Sequence, residues 1–416
     1  MIKVNRHVLN NGLRVVHSED RSTQMVCMNI VYNVGARNEH PEHTGFAHLF
    51  EHLMFGGSVN IPDYDTPMQE AGGENNAWTN NDITNYFLSI PRQNVEVGFW
   101  LESDRMLSLA FTPKSLEVQR NVVIEEFKQR CLNQPYGDAG HLVRSLVYKN
   151  HPYQWPTIGK TPQHIQDANM DLVKDFFFSF YAPNNAILAV TGNISFKETV
   201  KLAEKWFGPI PSRLIRQCDI PVEPVQNEYR KMEVERPVPM DSLYMSFPMC
   251  ARLEKDFYAF DALSDVLANG KSCRLIQQLV REKALFSSIN AYITNNDDLG
   301  IFQIVGKPVQ GVSLQEAEDA VMQVLQELGQ KPVDEQEFEK VKNKFESEQI
   351  FSNISALSLA SNLAYFEHIH QAEDINLEAD KYRAISAQHL QDVAAKTFVK
   401  EKCNVVHYRA GSGVND

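Results

Sequence analysis

No run of apolar residues in this 416-residue chain approaches the roughly 18 to 20 that a membrane-spanning helix needs. The N-terminus, MIKVNRHVLNNGLRVV, also lacks the apolar stretch of a signal peptide. The cytoplasm is therefore the default expectation, or the periplasm if a leader has been removed. Basic residues are in deficit: 40 Lys and Arg stand against 53 Asp and Glu, a formal net charge of −13. That argues against nucleic acid or an anionic membrane surface as the main partner, because phosphate binding needs clustered cations. The six cysteines are scattered, with no CxxC pair. They read as free thiols, which favours a reducing compartment.

What is present is the composition of a globular protein, 43% hydrophobic and 22% charged. Its length asks for two or more domains. The first 35 residues alternate apolar and polar positions around Asn-Asn-Gly, a hairpin signal. The period becomes helical in FAHLFEHLMF and stays so through PKSLEVQRNVVIEEFKQRCLN. Strands followed by helices make an α+β pattern. The Pro-, Arg- and Glu-rich stretch from about 213 to 236 reads as a linker between an N-terminal domain, 1–212, and a C-terminal domain, 237–416. The second half repeats the element order of the first, which suggests a duplication.

Chemistry concentrates in HTGFAHLFEHLMFGGS, residues 43–58. Helix positions are about 100° apart, so His48, Glu51 and His52 fall within one arc of roughly 100°. Two imidazoles one turn apart are a natural pair of zinc ligands. A carboxylate between them can reach a water on the metal without binding it. HLFEH matches the HxxEH form of the zinc-peptidase helix. Burying such a trio without partners among Leu49, Phe50, Leu53, Met54 and Phe55 would cost several kcal/mol.

A catalytic zinc usually takes three protein ligands. The EVQRNVVIEEFKQR helix offers Glu117, Glu125 and Glu126 as the third. Its apolar stripe includes Val118, Val122, Val123 and Phe127, which puts Glu126 nearer the buried side than Glu125.

At these residues the chain resembles the pitrilysin-type M16 metallopeptidases, in the short-chain branch that is similar to the mitochondrial processing peptidase subunits. The resemblance rests on HLFEH, QRNVVIEE, AGGENNAWTNNDITNYF, HPYQWPTIG and FYAPNNAILAVTGN, dense over the first 210 residues and thin afterwards. It implies two tandem homologous α/β sandwiches, each a mostly antiparallel sheet covered by helices, in the M16/LuxS-like metalloenzyme fold. It also implies a zinc endopeptidase with one Zn2+ per chain, held by His48, His52 and Glu126, with Glu51 as general base. Glu126 follows His52 by 74 positions, slightly short for the family.

The GGENNAWTNNDITNYF stretch reads as a turn and a short strand with small side chains. In the family this edge pairs with an extended peptide substrate. Asn76, Ala77 and Thr79 are the expected contacts. Complete family members also carry an arginine and a tyrosine, in Leu-Arg-x-x-x-x-Leu-x-Tyr, that bind the substrate carbonyl. Here Arg281 fits, but the tyrosine position falls on Ser287 or Ser288. The resemblance therefore implies a partner subunit of the same fold that supplies the pair, in a heterodimer or else a homodimer. The rival expectation is a weakly active or non-catalytic assembly or peptide-binding subunit.

Overall fold

The computed structural model describes residues 1–411. Eleven strands form two sheets among them. The first contains β1 (Asn5–Val8), β2 (Arg14–Glu19), β3 (Met25–Tyr32), β4 (Glu74–Thr79), β5 (Thr84–Pro91) and β6 (Ala186–Gly192), in the order β1-β2-β6-β3-β5-β4. The second contains β7 (Arg230–Arg236), β8 (Ser242–Met249), β9 (Phe286–Ile293), β10 (Gly300–Pro308) and β11 (Asn404–Ala410), in the order β7-β11-β8-β10-β9.

Apart from β1, the two sheets have one topology. In each, the first and last strands pair in parallel, β2 with β6 and β7 with β11, and every other neighbour is antiparallel. The duplication expected from the order of elements is thus visible strand by strand.

Central strands are apolar on both faces because both are covered. In β3, MVCMNIVY, every residue after Met25 is buried. On one face of the first sheet, Val15, Met28, Ile30, Tyr86 and Leu88 pack with Leu49, Phe50 and Phe177 from helices. On the other, Val16, Val31, Ile187 and Ala189 meet Leu359, Leu363 and Ala364 of the helix Ala356–Ile369. The second sheet buries Ile301, Val406 and Tyr408 against Val143, Leu146 and Val147 of the helix Ala139–Val147.

These covering helices explain where the structure departs from a contiguous division. One compact unit comprises residues 1–128, 155–220 and 349–378; the other comprises 129–154, 221–348 and 379 onward. Each sheet takes one cover from the far part of the chain, which amphipathic patterning does not reveal. The stretch read as a linker is also shorter, because Arg230–Arg236 forms β7 and hydrogen-bonds beside β11. No helix among the described residues is long and apolar enough to cross a membrane.

The remote cover has a measurable weight. Leu363 is fully buried against the first sheet, so Leu363→Ala should lower unfolding free energy by about 2–5 kcal/mol in urea denaturation. A loss below about 1 kcal/mol would show that the helix contributes little to that unit.

Candidate metal centre

The helix Phe46–Leu53 turns Phe46, Leu49, Phe50 and Leu53 into the core of its unit, leaving His48, Glu51 and His52 on the opposite arc. It begins at Gly45, whose φ of +89° and close neighbours exclude a side chain: a Cβ there would stand 2.8 Å from Ile165 Cδ1. A glycine N-cap has no side chain to satisfy the first N–H groups. Glu39 does so from outside the helix, its carboxyl oxygens accepting from the N–H of Gly45 at 2.9 Å, of Ala47 at 2.8 Å and from Trp155 Nε1 at 3.0 Å. Burial pushes the Glu39 carboxyl up to about 8, while these donors pull the other way.

The third group comes from the helix Pro113–Phe127, which packs through Leu116, Val123 and Phe127. Glu126 Oε2 lies 3.5 Å from His48 Nε2 and 3.4 Å from His52 Nε2. Both distances exceed a normal N–H···O hydrogen bond of about 2.7–3.2 Å. They match the spacing of about 3.4 Å between ligand atoms that lie 2.0–2.1 Å from one tetrahedral zinc. His48, His52 and Glu126 are the one group of three or more His, Cys, Asp or Glu among the described residues whose ligand atoms converge on a metal-sized point. The donor set, two imidazoles and one carboxylate, suits zinc with a coordination position to spare.

The neighbouring carboxylates divide as their faces dictate. Glu125 is exposed and pairs with Lys128 at 2.7 Å, so it does not join the cluster. The stripe inferred for this helix needs correction, since Val118 and Val122 are 47% and 44% exposed. Val122 stands one turn before Glu126, so that edge of the helix is open and not buried. Glu51, half-buried, accepts a hydrogen bond from Thr79 Oγ1 at 2.7 Å. Thr79 is thereby brought to the site through its side chain, a contact that strand alternation alone could not assign. Ala77 lies on the same face of β4, whereas Asn76 points the other way and folds its Oδ1 onto the Ala77 N–H at 2.8 Å.

Arg281 belongs to the other compact unit, exposed in the short helix Ile276–Glu282. Ser287 and Ser288, where a tyrosine was expected, are exposed in β9. Arg274 is held by Glu337 at 2.8 Å and is structural. His151 and Tyr153 are buried with their rings 4.1 Å apart. Behind the helix, the Arg105 guanidinium lies over Tyr86 and Tyr64 at 4.3 and 4.7 Å and is paired with Glu102. Tyr86 in turn donates to the Phe50 carbonyl at 3.3 Å.

With this geometry in view, comparison with known proteins is decisive. A family model described as Insulinase (Peptidase family M16) matches residues 14–159, and one described as Peptidase M16 inactive domain matches 167–345. The chain belongs to the M16 peptidase family. It is 29% identical to the zinc protease PqqE of Helicobacter pylori over 94% of this chain and 91% of that protein. It is 24% identical to an uncharacterized zinc protease, YmxG, of Bacillus subtilis over 96% of each. A crystal structure of a Helicobacter pylori protease superposes with a TM-score of 0.91 at 26% identity, covering 98% of this chain and all of that one. An M16 inactive-domain structure from Pseudomonas fluorescens, 17% identical, shares the fold at 0.87 over 98% of each. Two homologous α/β units are therefore the architecture of this M16 protein.

Two outcomes test this centre. Zinc measured by mass spectrometry on purified chain should be about one per chain and be lost in His52→Ala and Glu126→Gln but kept in Glu125→Gln. Equal loss in both glutamate variants would overturn the ligand choice. For Glu39, the folded value of about 8 lies above the ordinary 4.5, so the folded chain holds a proton that the unfolded chain releases. That contribution is complete below about pH 4.5 and lost as pH rises through about 8. The stability advantage of wild type over Glu39→Gln should therefore shrink between pH 5 and pH 9; a gap that widens would reverse the sign.

Proposed function

We propose that this M16 protein is a zinc-dependent endopeptidase acting on extended or unfolded polypeptide. The observation that carries the reading is the convergence of His48, His52 and Glu126, with Glu51 one residue from a ligand and fixed by Thr79. Bound by those three residues, zinc would supply Lewis acidity, lowering the pKa of a water toward 7 and polarising a carbonyl.

The residues of the chain do the rest. Glu51 takes one proton from the attacking water, whose oxygen forms the new bond to the scissile carbonyl carbon. The C–N bond then breaks, and Glu51 returns the proton to the departing nitrogen, leaving an amine and a carboxylic acid whose remaining proton passes to the amine, giving a carboxylate and an ammonium. Thr79 orients the Glu51 carboxylate by donating to one of its oxygens. Substrate would lie as a strand along β4, where Asn76 and Ala77 are its contacts. The field of a chain with net charge −13 favours cationic peptides.

Carbonyl stabilisation is the incomplete part. Arg281 is the arginine of the expected pair, and Ser287 and Ser288 cannot donate as a tyrosine does. One such donor is worth about 10²- to 10³-fold in rate. A second subunit of M16 fold supplying both residues, as a heterodimer or a homodimer, fits this gap. The alternative, a weakly active or non-catalytic peptide-binding subunit, is favoured by that same missing tyrosine and by the inactive-domain description of the model matching 167–345.

Glu51→Gln separates these readings. Zinc content should stay unchanged while hydrolysis of a quenched fluorescent peptide, with and without a co-purified partner, falls at least about 10²-fold. Undiminished hydrolysis in the variant would remove Glu51 from the mechanism. Zinc-loaded wild type that cleaves nothing, with or without a partner, would favour the binding subunit.

A further inference from the structure

Strand β4 ends its sheet and is paired on one side only, to β5. Hydrogen bonds from the open side are missing, so its place relative to the helix Phe46–Leu53 needs a second support. That place matters. The 2.7 Å bond from Thr79 Oγ1 to Glu51 joins the last residue of β4 to the helix that carries the two histidines.

Four consecutive residues beyond β3, 36–39, supply the support, and all the groups they grip lie in one compact unit. They begin as the helical turn Ala36–Asn38. Ala36 N–H donates to the Asn80 carbonyl at 3.1 Å, and Arg37 N–H donates to that of Asn81 at 2.8 Å. Both carbonyls belong to the turn that follows Thr79. The Arg37 side chain then reaches Asp82, with Nη1 3.1 Å from Oδ1 and the two side chains 14% and 4% exposed. Separating a pair so buried strands a charge away from water, which makes the grip firm. Gly35 permits the close approach, since a Cβ there would stand 2.5 Å from the carbonyl carbon and oxygen of Asn81. The gripped turn is itself ordered. Asn80 Oδ1 accepts from Asp82 N–H at 2.7 Å and from Ile83 N–H at 2.8 Å.

The far end of the same four residues holds the helix, where Glu39 accepts from the N–H groups of Gly45 and Ala47. Trp155 ties the two ends together. Its Nε1 donates to the Ala36 carbonyl at 3.1 Å and to Glu39 at 3.0 Å. One short piece of chain thus sets the separation between the edge strand and the helix whose side chains must meet.

We infer that Arg37 is a positioning residue for peptide hydrolysis: paired with Asp82, it holds the end of β4 where Thr79 meets Glu51. The inference rests on the reading of Glu51 as general base. Thr79 touches the base, and Arg37 acts through the turn and through Thr79.

Full-length Arg37→Gln, Arg37→Lys and Thr79→Val test this, with zinc content, hydrogen exchange and hydrolysis of the quenched peptide measured on each. In Arg37→Gln, exchange should quicken about 10-fold or more across 76–84 and match wild type across 46–53, with zinc content unchanged. Its kcat should fall roughly 10- to 100-fold, the effect of a misplacement of about 1 Å. Arg37→Lys keeps a cation beside Asp82 and should recover most of that loss. The double variant separates positioning from a general loss of structure. Once Thr79→Val has removed the hydroxyl, Arg37→Gln should lower kcat by less than about twofold more. Penalties that multiply in the double variant overturn the proposal, because a partly unfolded population would lower kcat in either background. So does unaltered exchange across 76–84, or exchange that quickens equally across 46–53 with loss of zinc. Where Arg37→Gln does not fold, Asp82→Asn, close to isosteric, takes its place in every comparison. If zinc-loaded wild type cleaves no peptide, the peptidase reading fails by itself, and exchange across 76–84 decides whether Arg37 holds β4.

Discussion

The chemistry of this protein depends on an eight-residue helix that has no capping side chain of its own. Isolated helices of this length are unstable in water, yet Phe46–Leu53 carries two of the three converging ligand groups and the adjacent carboxylate. What holds it is the Glu39 carboxyl group at its N-terminus, together with the burial of Phe46, Leu49, Phe50 and Leu53. Trp155 fixes that carboxyl group. A shift of the helix would open the spacing of 3.4–3.5 Å that brings His48 and His52 to Glu126.

The second constraint is the sheet behind the helix. Thr79 reaches Glu51 because β4 is an edge, open to its neighbours on one side. In antiparallel pairing, residues whose backbone faces outward have side chains on a single sheet face. Thr79 can therefore turn its backbone to the open side of β4 and its hydroxyl to Glu51. The same strand order recurs in the second unit, where β9 takes the place of β4 and Ala291 is buried in the core. Both units keep the edge strand, and among the described residues the converging cluster of His48, His52 and Glu126 lies in one of them.

Legibility followed range. HLFEH could be read from the chain because its groups lie within one helical turn of each other, where 3.6-residue geometry decides what meets. Glu126 was narrowed to two adjacent residues by its stripe, and the stripe itself was half mistaken. Val118 and Val122 are apolar yet exposed, since the packing partner of that helix covers only the Leu116, Val123 and Phe127 side. Glu39 carried one available signal, a helix start with glycine at the N-cap, which obliges an acceptor to come from elsewhere.

By itself the sequence determined the α+β class, the HxxEH trio on one helix face and the absence of a complete arginine and tyrosine pair, all of which are local patterns. Tertiary structure alone decided that Glu126 and not Glu125 faces the histidines, that Thr79 serves Glu51, and that the covering helices Ala139–Val147 and Ala356–Ile369 each belong to a different compact unit from their chain neighbours. The reason is physical. Periodicity states which side of an element is apolar, but which surface buries that side depends on contacts between residues far apart in the chain, and those exist only once the sheets have formed.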